Sequence, residues 1–171
     1  MIQTALHTVH VIQGEHHTSD QPTTVMTTIL GSCVAACLHD PVRKIGGMNH
    51  FLLPDDLGTR DLRHASAAME ILVNSLLKQG ALRERLEAKL FGGGRMLASL
   101  PDIGRRNGEA AIAFLRGENI NLRAQSLGGS QARRVRFWPA TGKAQQMLLR
   151  QTRDEVQPVS HLQMLGSIEL F

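Results

Sequence analysis

Cys33 and His50 are the two side chains in this sequence whose types and spacing best suit them to work as a pair. A thiol that passes its proton to an imidazole becomes a nucleophile, and the chemistry open to such a pair is acyl transfer, including cleavage of a C–N bond. Two short apolar runs, Cys33–His39 and Ile45–Leu53, flank the turn-forming Asp40-Pro41. A hairpin centred between Pro41 and Val42 sets Cys33 directly opposite His50, with Cβ atoms ~4.5–5.5 Å apart on one face. Gly31-Ser32 lets the backbone come close to a substrate carbonyl. Free backbone N–H groups there hold a developing oxyanion, worth about 3 kcal/mol per donor. Small Ala35, Ala36, Gly46 and Gly47 leave room around the pair. A third group should orient the imidazole, and the preceding strand offers both Thr27 and Thr28.

Blander readings compete. Cysteine is among the most often buried residues, and a one-residue slip of the hairpin moves His50 to the other face. Cys33, Cys37, His39 and His50 invite a zinc reading, but Cys-x3-Cys within a strand spans too far for easy tetrahedral coordination. Cys37 is expected as a small buried hydrophobe, and no metal is expected. His16-His17 reads as solvated surface. Gly92-Gly93-Gly94 lacks the following Lys-Ser/Thr of a phosphate loop, so it reads as a turn or cleft wall, and no organic cofactor is expected.

The elements that must position these residues alternate between strand and helix patterns. Strands are expected over Thr4–Ile12, Thr23–Leu30, the two apolar runs, Lys89–Phe91 and Ile120–Leu127. A polar loop is expected at Gly14–Pro22 and another at Pro54–Leu62. Apolar residues at three- and four-residue spacing predict a helix over Arg63–Gln79, capped by Gly80. Arg83–Ala88 reads as a short helical turn. A second helix is expected from Ile103 or Gly104 to Arg116, with Asn107-Gly108 as a weak point near its start. Arg133–Trp138 and Lys143–Leu149 read as a hairpin through Pro139–Gly142. Runs apolar on both faces imply strands covered on both sides, in a layered α/β or α+β domain.

The chain has 171 residues, 42% hydrophobic and 20% charged, which is the size and composition of one globular domain. Residues 1–150 are expected to form it, with 151–171 as a C-terminal extension or tail. No apolar run approaches the ~20 residues of a membrane helix, and no secretory signal is evident, so a cytoplasmic setting is expected. Two cysteines make no disulfide framework. Net charge is +4, but aromatics are 4% and Tyr is absent, which argues against nucleic acid and leaves an acidic protein surface as the fitting partner.

Gly31-Ser32-Cys33-Val34-Ala35-Ala36-Cys37-Leu38, followed by Gly46-Gly47-Met48-Asn49-His50-Phe51-Leu52-Leu53-Pro54, resembles the signature of the CheD family, the chemoreceptor glutamine deamidases. The resemblance continues through Ala67-Ala68-Met69, Ala88–Gly93, Ile103-Gly104 with Asn107, Gly128-Gly129, and Arg133–Phe137 with Thr141-Gly142, covering roughly residues 25 to 145. It implies a layered α/β sandwich, similar to cysteine deamidase domains of certain toxins. It also implies hydrolysis of selected glutamine amides to glutamate on methyl-accepting chemotaxis receptors, without metal or cofactor. Carried over by motif, Cys33 is the nucleophile, His50 the general base, and Thr27, six residues before the cysteine, the group that holds the imidazole. Some members also bind CheC. The chain departs from the family at His64, Gly94 and Ala132, none of them in the implied triad. Two rival functions share the residues: a transglutaminase- or protease-like acyl-transfer enzyme, and a non-catalytic regulator that docks to CheC or to a receptor.

Overall fold

The computed structural model describes residues 5–53, 60–150, 163–164 and 168–171, with 60–64 and 163–164 as backbone. The expected Pro54–Leu62 loop and most of the 151–171 extension fall outside these residues. In chain order the strands are β1 (His7–His10), β2 (His16–Ser19), β3 (Thr24–Leu30), β4 (Val34–Asp40) and β5 (Ile45–Asn49). Helix α1 (Arg60–Lys78) and a single 3₁₀ turn (Arg83–Arg85) lead to β6 (Glu87–Gly92) and helix α2 (Ile103–Gly117). The chain continues through β7 (Asn121–Leu127), β8 (Arg133–Trp138), β9 (Lys143–Arg150), β10 (Gln163–Met164) and β11 (Glu169–Leu170).

These elements make three layers. One sheet runs β1-β3-β8-β9-β10, with β11 also on β9; the other runs β2-β5-β4-β6-β7. Period-two alternation assigns the faces of the central strand. Val34, Ala36 and Leu38 of β4 pack under the two helices with Met69, Leu72 and Leu76 of α1. Ala35 and Cys37 point the other way, into the core between the sheets with Met26, Leu30, Phe91 and Phe137. Both faces of β4 are covered, which is why its sequence is one unbroken apolar run. Each fully buried leucine here contributes roughly 1.5–3 kcal/mol of apolar burial.

Helix α1 ends where expected: Gly80, at φ +99°, turns the chain so that Ala81 N–H reaches the Leu76 carbonyl. Helix α2 runs unbroken through Asn107-Gly108, which are both buried against the sheet. One expectation changes. The polar segment 14–22 is not all loop, because His16–Ser19 forms β2, an edge strand antiparallel to β5. An edge strand needs only one hydrogen-bonded neighbour and a partly wet face, so its polar composition hides it. At the far end, β11 pairs with β9, and Phe171 exchanges both backbone hydrogen bonds with Ala144.

Candidate active site

Strands β4 and β5 place Cys33 and His50 in one mouth between the two sheets. The hairpin register differs from expectation by two residues: Asp40 pairs with Ile45, Cys37 with Met48, and Val34 with Phe51. The turn is four residues long because the Asp40 carboxylate accepts from Val42 and Arg43 N–H, and Lys44 adopts φ +57°. Asp40 is fully buried; burial opposes its charge, but the Arg85 guanidinium and the Arg43, Leu82 and Val42 N–H groups hold its pKa down to about 2. A two-residue shift keeps every side chain on its face. Cys33 therefore stands diagonal to His50 on the inter-sheet side rather than directly across, a spacing of ~7–8 Å between backbones.

His50 is 7% exposed, and its ring is held at one nitrogen. Nδ1 lies 2.8 Å from Thr28 Oγ1 and 3.1 Å from the Val11 carbonyl. Thr28 Oγ1 itself lies 2.7 Å from the same carbonyl, so its hydroxyl proton goes to Val11 and its oxygen accepts. Nδ1 must then carry hydrogen, since a bare lone pair there would face the carbonyl lone pair. That fixes the tautomer and leaves Nε2 as the basic nitrogen. Burial lowers the imidazole pKa below 6.5, opposed by the Val11 hydrogen bond, so the ring is a neutral base.

The expected role of Thr27 needs correction. Thr27 Oγ1 donates to the Val135 carbonyl at 3.0 Å, on the outer face of its sheet, where the residue also lines a cavity with Arg134 and Arg136. Thr28 shares the inward face with Met26 and Leu30 and is the threonine that reaches His50. Strand alternation permits only one of two neighbours to point inward.

Cys33 is half-buried at the mouth, and its thiol donates to Gln13 Oε1 at 3.8 Å. Burial raises its pKa above 9.0, opposed by its own backbone N–H, so the resting sulfur is a thiol. Its loop is built from outside. The Cys33 carbonyl accepts from Gly93 N–H at 2.8 Å and the Gly31 carbonyl from Gly94 N–H at 2.9 Å. Gly92 has φ +107°, and a side chain there would collide with the Cys33 carbonyl. Gly92–Gly94 is thus the wall that the sequence suggested. Asn107 of α2, fully buried, donates to the Ser32 carbonyl and accepts from Leu53 N–H, both at 2.8 Å. It ties together the segments that carry the two candidate groups. The Val11 carbonyl, Asn107 and Gln13 carried no spacing signal that marked them for this site.

Cys37 and His39 go elsewhere. Burial pushes the Cys37 thiol far up, and His39 Nδ1 lies 2.9 Å from the Pro139 carbonyl. Among the described residues no three His, Cys, Asp or Glu side chains gather as metal ligands. No helix among them is long and apolar enough to cross a membrane. A cavity of about 530 Å³ lies behind the glycine loop against α2 and β7, lined by neither Cys33 nor His50.

The family model described as CheD chemotactic sensory transduction matches residues 52–147, beginning just after His50. A relative from Caulobacter sp. (strain K31), named "Probable chemoreceptor glutamine deamidase CheD", is 55% identical over 145 residues, covering 82% of this chain and 77% of its own. One of the same name from Agrobacterium fabrum (strain C58 / ATCC 33970) is 50% identical over 149 residues, covering 85% and 82%. Among solved structures, the Bacillus licheniformis hypothetical protein YfiH is 14% identical with a TM-score of 0.43, over 67% of this chain and 49% of its own. With the family model matched over more than half its length and relatives at half identity over most of it, this chain belongs to the CheD family.

Proposed function

We propose that this protein hydrolyses selected glutamine side-chain amides to glutamate on the cytoplasmic region of chemoreceptors, with Cys33 as nucleophile, His50 as general base and Thr28 as the positioning residue. The observation that carries the reading is the hydrogen-bond pattern at His50 Nδ1, which leaves Nε2 basic in the same mouth as the Cys33 thiol. The relatives' names supply the substrate class.

The chemistry follows from these states. Cys33 Sγ attacks the carboxamide carbon as the thiol proton passes to His50 Nε2. The tetrahedral oxyanion collapses, the C–N bond breaks, and the Nε2 proton leaves with nitrogen as ammonia. Water then adds to the thioester, giving one proton to Nε2. The C–S bond breaks, Cys33 takes that proton, and glutamate remains. Neutral thiol and neutral imidazole are the starting pair, so the proton moves during attack rather than before it.

Each event adds a negative charge to a helical bundle, where like charges at helical spacing repel. We place the reaction in the cytoplasm and include a CheC-type protein among its partners. The test is mass spectrometry of a recombinant receptor cytoplasmic fragment incubated with the protein. Amide-to-acid mass gains at particular glutamines, absent with Cys33→Ala, are expected. Gains that persist with Cys33→Ala would overturn the nucleophile assignment, and added amine incorporated in place of water would reassign the reaction to transamidation.

A further inference from the structure

We propose that the side-chain amide of Gln13 is a catalytic hydrogen-bond donor to the oxyanion that forms when Cys33 attacks a carbonyl. The proposal rests on Cys33 being the nucleophile. Gln13 Oε1 accepts from the Cys33 thiol at 3.8 Å, so the carboxamide already sits beside the attacking atom. A half-turn of the terminal torsion exchanges Oε1 for Nε2 and presents two N–H donors at the same place. The resting thiol offers a proton and favours the oxygen. The oxyanion offers lone pairs and favours the nitrogen. The new hydrogen bond therefore exists only once charge has developed, which is the condition for lowering the barrier instead of tightening the resting complex.

The loop that carries Gln13 is fixed to the general base. Glu15 N–H bonds the Ile12 carbonyl at 3.0 Å and Gly14 has φ +89°, a tight turn with Gln13 at its second position. Gly14 N–H donates to the His50 carbonyl at 2.8 Å and His50 N–H to the Glu15 carbonyl at 3.1 Å. Val11, two residues before Gln13, holds the imidazole itself. One loop thus sets the base and the amide relative to each other.

The neighbouring donors also leave this role open. Val34 N–H is committed to Phe51, Gly93 N–H to Cys33 and Gly94 N–H to Gly31. The Cys33 N–H faces its own sulfur. Among the described residues Gln13 brings a side-chain amide to the thiol, where it supplies a second donor aimed at the incoming carbonyl.

The test compares two reactions of the same thiol in the full chain. Acylation of Cys33 by p-nitrophenyl acetate passes through an oxyanion, whereas alkylation by iodoacetamide forms none at the reacting carbon. For Gln13→Ala, acylation should fall about 10²–10³-fold while alkylation is unchanged. Gln13→Glu, which puts a carboxylate beside the oxyanion, should be at least as slow. Gln13 is exposed, so neither variant threatens the fold. Equal acylation by wild type and Gln13→Ala overturns the proposal, as does a parallel loss in both reactions, which would make Gln13 a partner of the thiol alone. Faster acylation by Gln13→Ala also overturns it, since the amide would then be blocking the substrate's place. Loss of burst product and of alkylation in Cys33→Ala confirms the reacting atom, so failure of the glutamine-hydrolysis reading on receptor fragments is seen separately.

Discussion

A cysteine and a histidine lie toward each end of strand β4, Cys33 just before it with His50 just after β5, and Cys37 with His39 within it, and only one of the two thiols reaches the surface. At one end Cys33 is half-buried beside His50, whose ring is tied at Nδ1 and basic at Nε2. At the other, Cys37 is 1% exposed, and His39 bonds the Pro139 carbonyl with Gly142 pressed against its ring. Lys89 Nζ, its charge disfavoured by burial, donates to the Gly142 and Phe171 carbonyls, and Phe171 sets its ring edge on Phe91 at 5.2 Å. The residue types are the same. Both imidazoles are tied at Nδ1, so what separates the ends is whether the thiol has a way out.

The largest effect should come from removing one sulfur or the other. Cys33→Ala should abolish amide hydrolysis, whereas Cys37→Ala should leave kcat near wild type and cost about 1 kcal/mol in a urea melt. Activity lost equally in both would erase the distinction between the two ends.

Next in size is the threonine pair. Thr28→Val keeps the shape but removes the nearer of two acceptors for Nδ1–H, and kcat should fall about 10–100-fold, by analogy with groups that orient a reacting imidazole. Thr27→Val should leave kcat unchanged. Reversed results would return the positioning role to the outward threonine.

Here the sequence reached its limit for a physical reason. Thr24-Met26-Thr28-Leu30 and Val25-Thr27-Ile29 alternate equally well, so either face of β3 passes for the inner one. The inward face is set by which residues pair with Val135, and that partner lies more than a hundred residues away. An error of two in register leaves Cys33 and His50 on one face, because two is the period of a strand. The layered α+β class and both helices were legible from periodicity. β2 and β11 were not, being short strands with no buried residue, whose partners alone define them.

Asn107→Ala tests the scaffold of the open end. It strands the Ser32 carbonyl and Leu53 N–H, and a loss of about 2–3 kcal/mol is expected by urea denaturation. Reactivity at Cys33 should fall with it, while the Cys37 end stays packed. An unchanged melt would mean the two segments hold their positions without α2.

The smallest effect is on pH. His50 has a folded pKa depressed below 6.5 by burial, so its contribution to stability is complete above 6.5 and is lost as pH falls toward the folded pKa. Its acid-side loss of kcat/KM should likewise lie below pH 6.5. His50→Gln should flatten the melting temperature over that acid range, whereas a slope that persists would assign the linkage to another group.

Among the described residues the imidazole is held by a hydroxyl and a main-chain carbonyl, and no carboxylate bonds it. Neither of those partners neutralises an imidazolium, so a standing thiolate–imidazolium pair has little support and Cys33 waits protonated. Peroxide and disulfides react with thiolates, not thiols. The same economy of charge that makes this sulfur depend on a well-placed substrate should therefore keep it durable under oxidative stress, so that its lifetime in the cell is not spent on sulfenic acid.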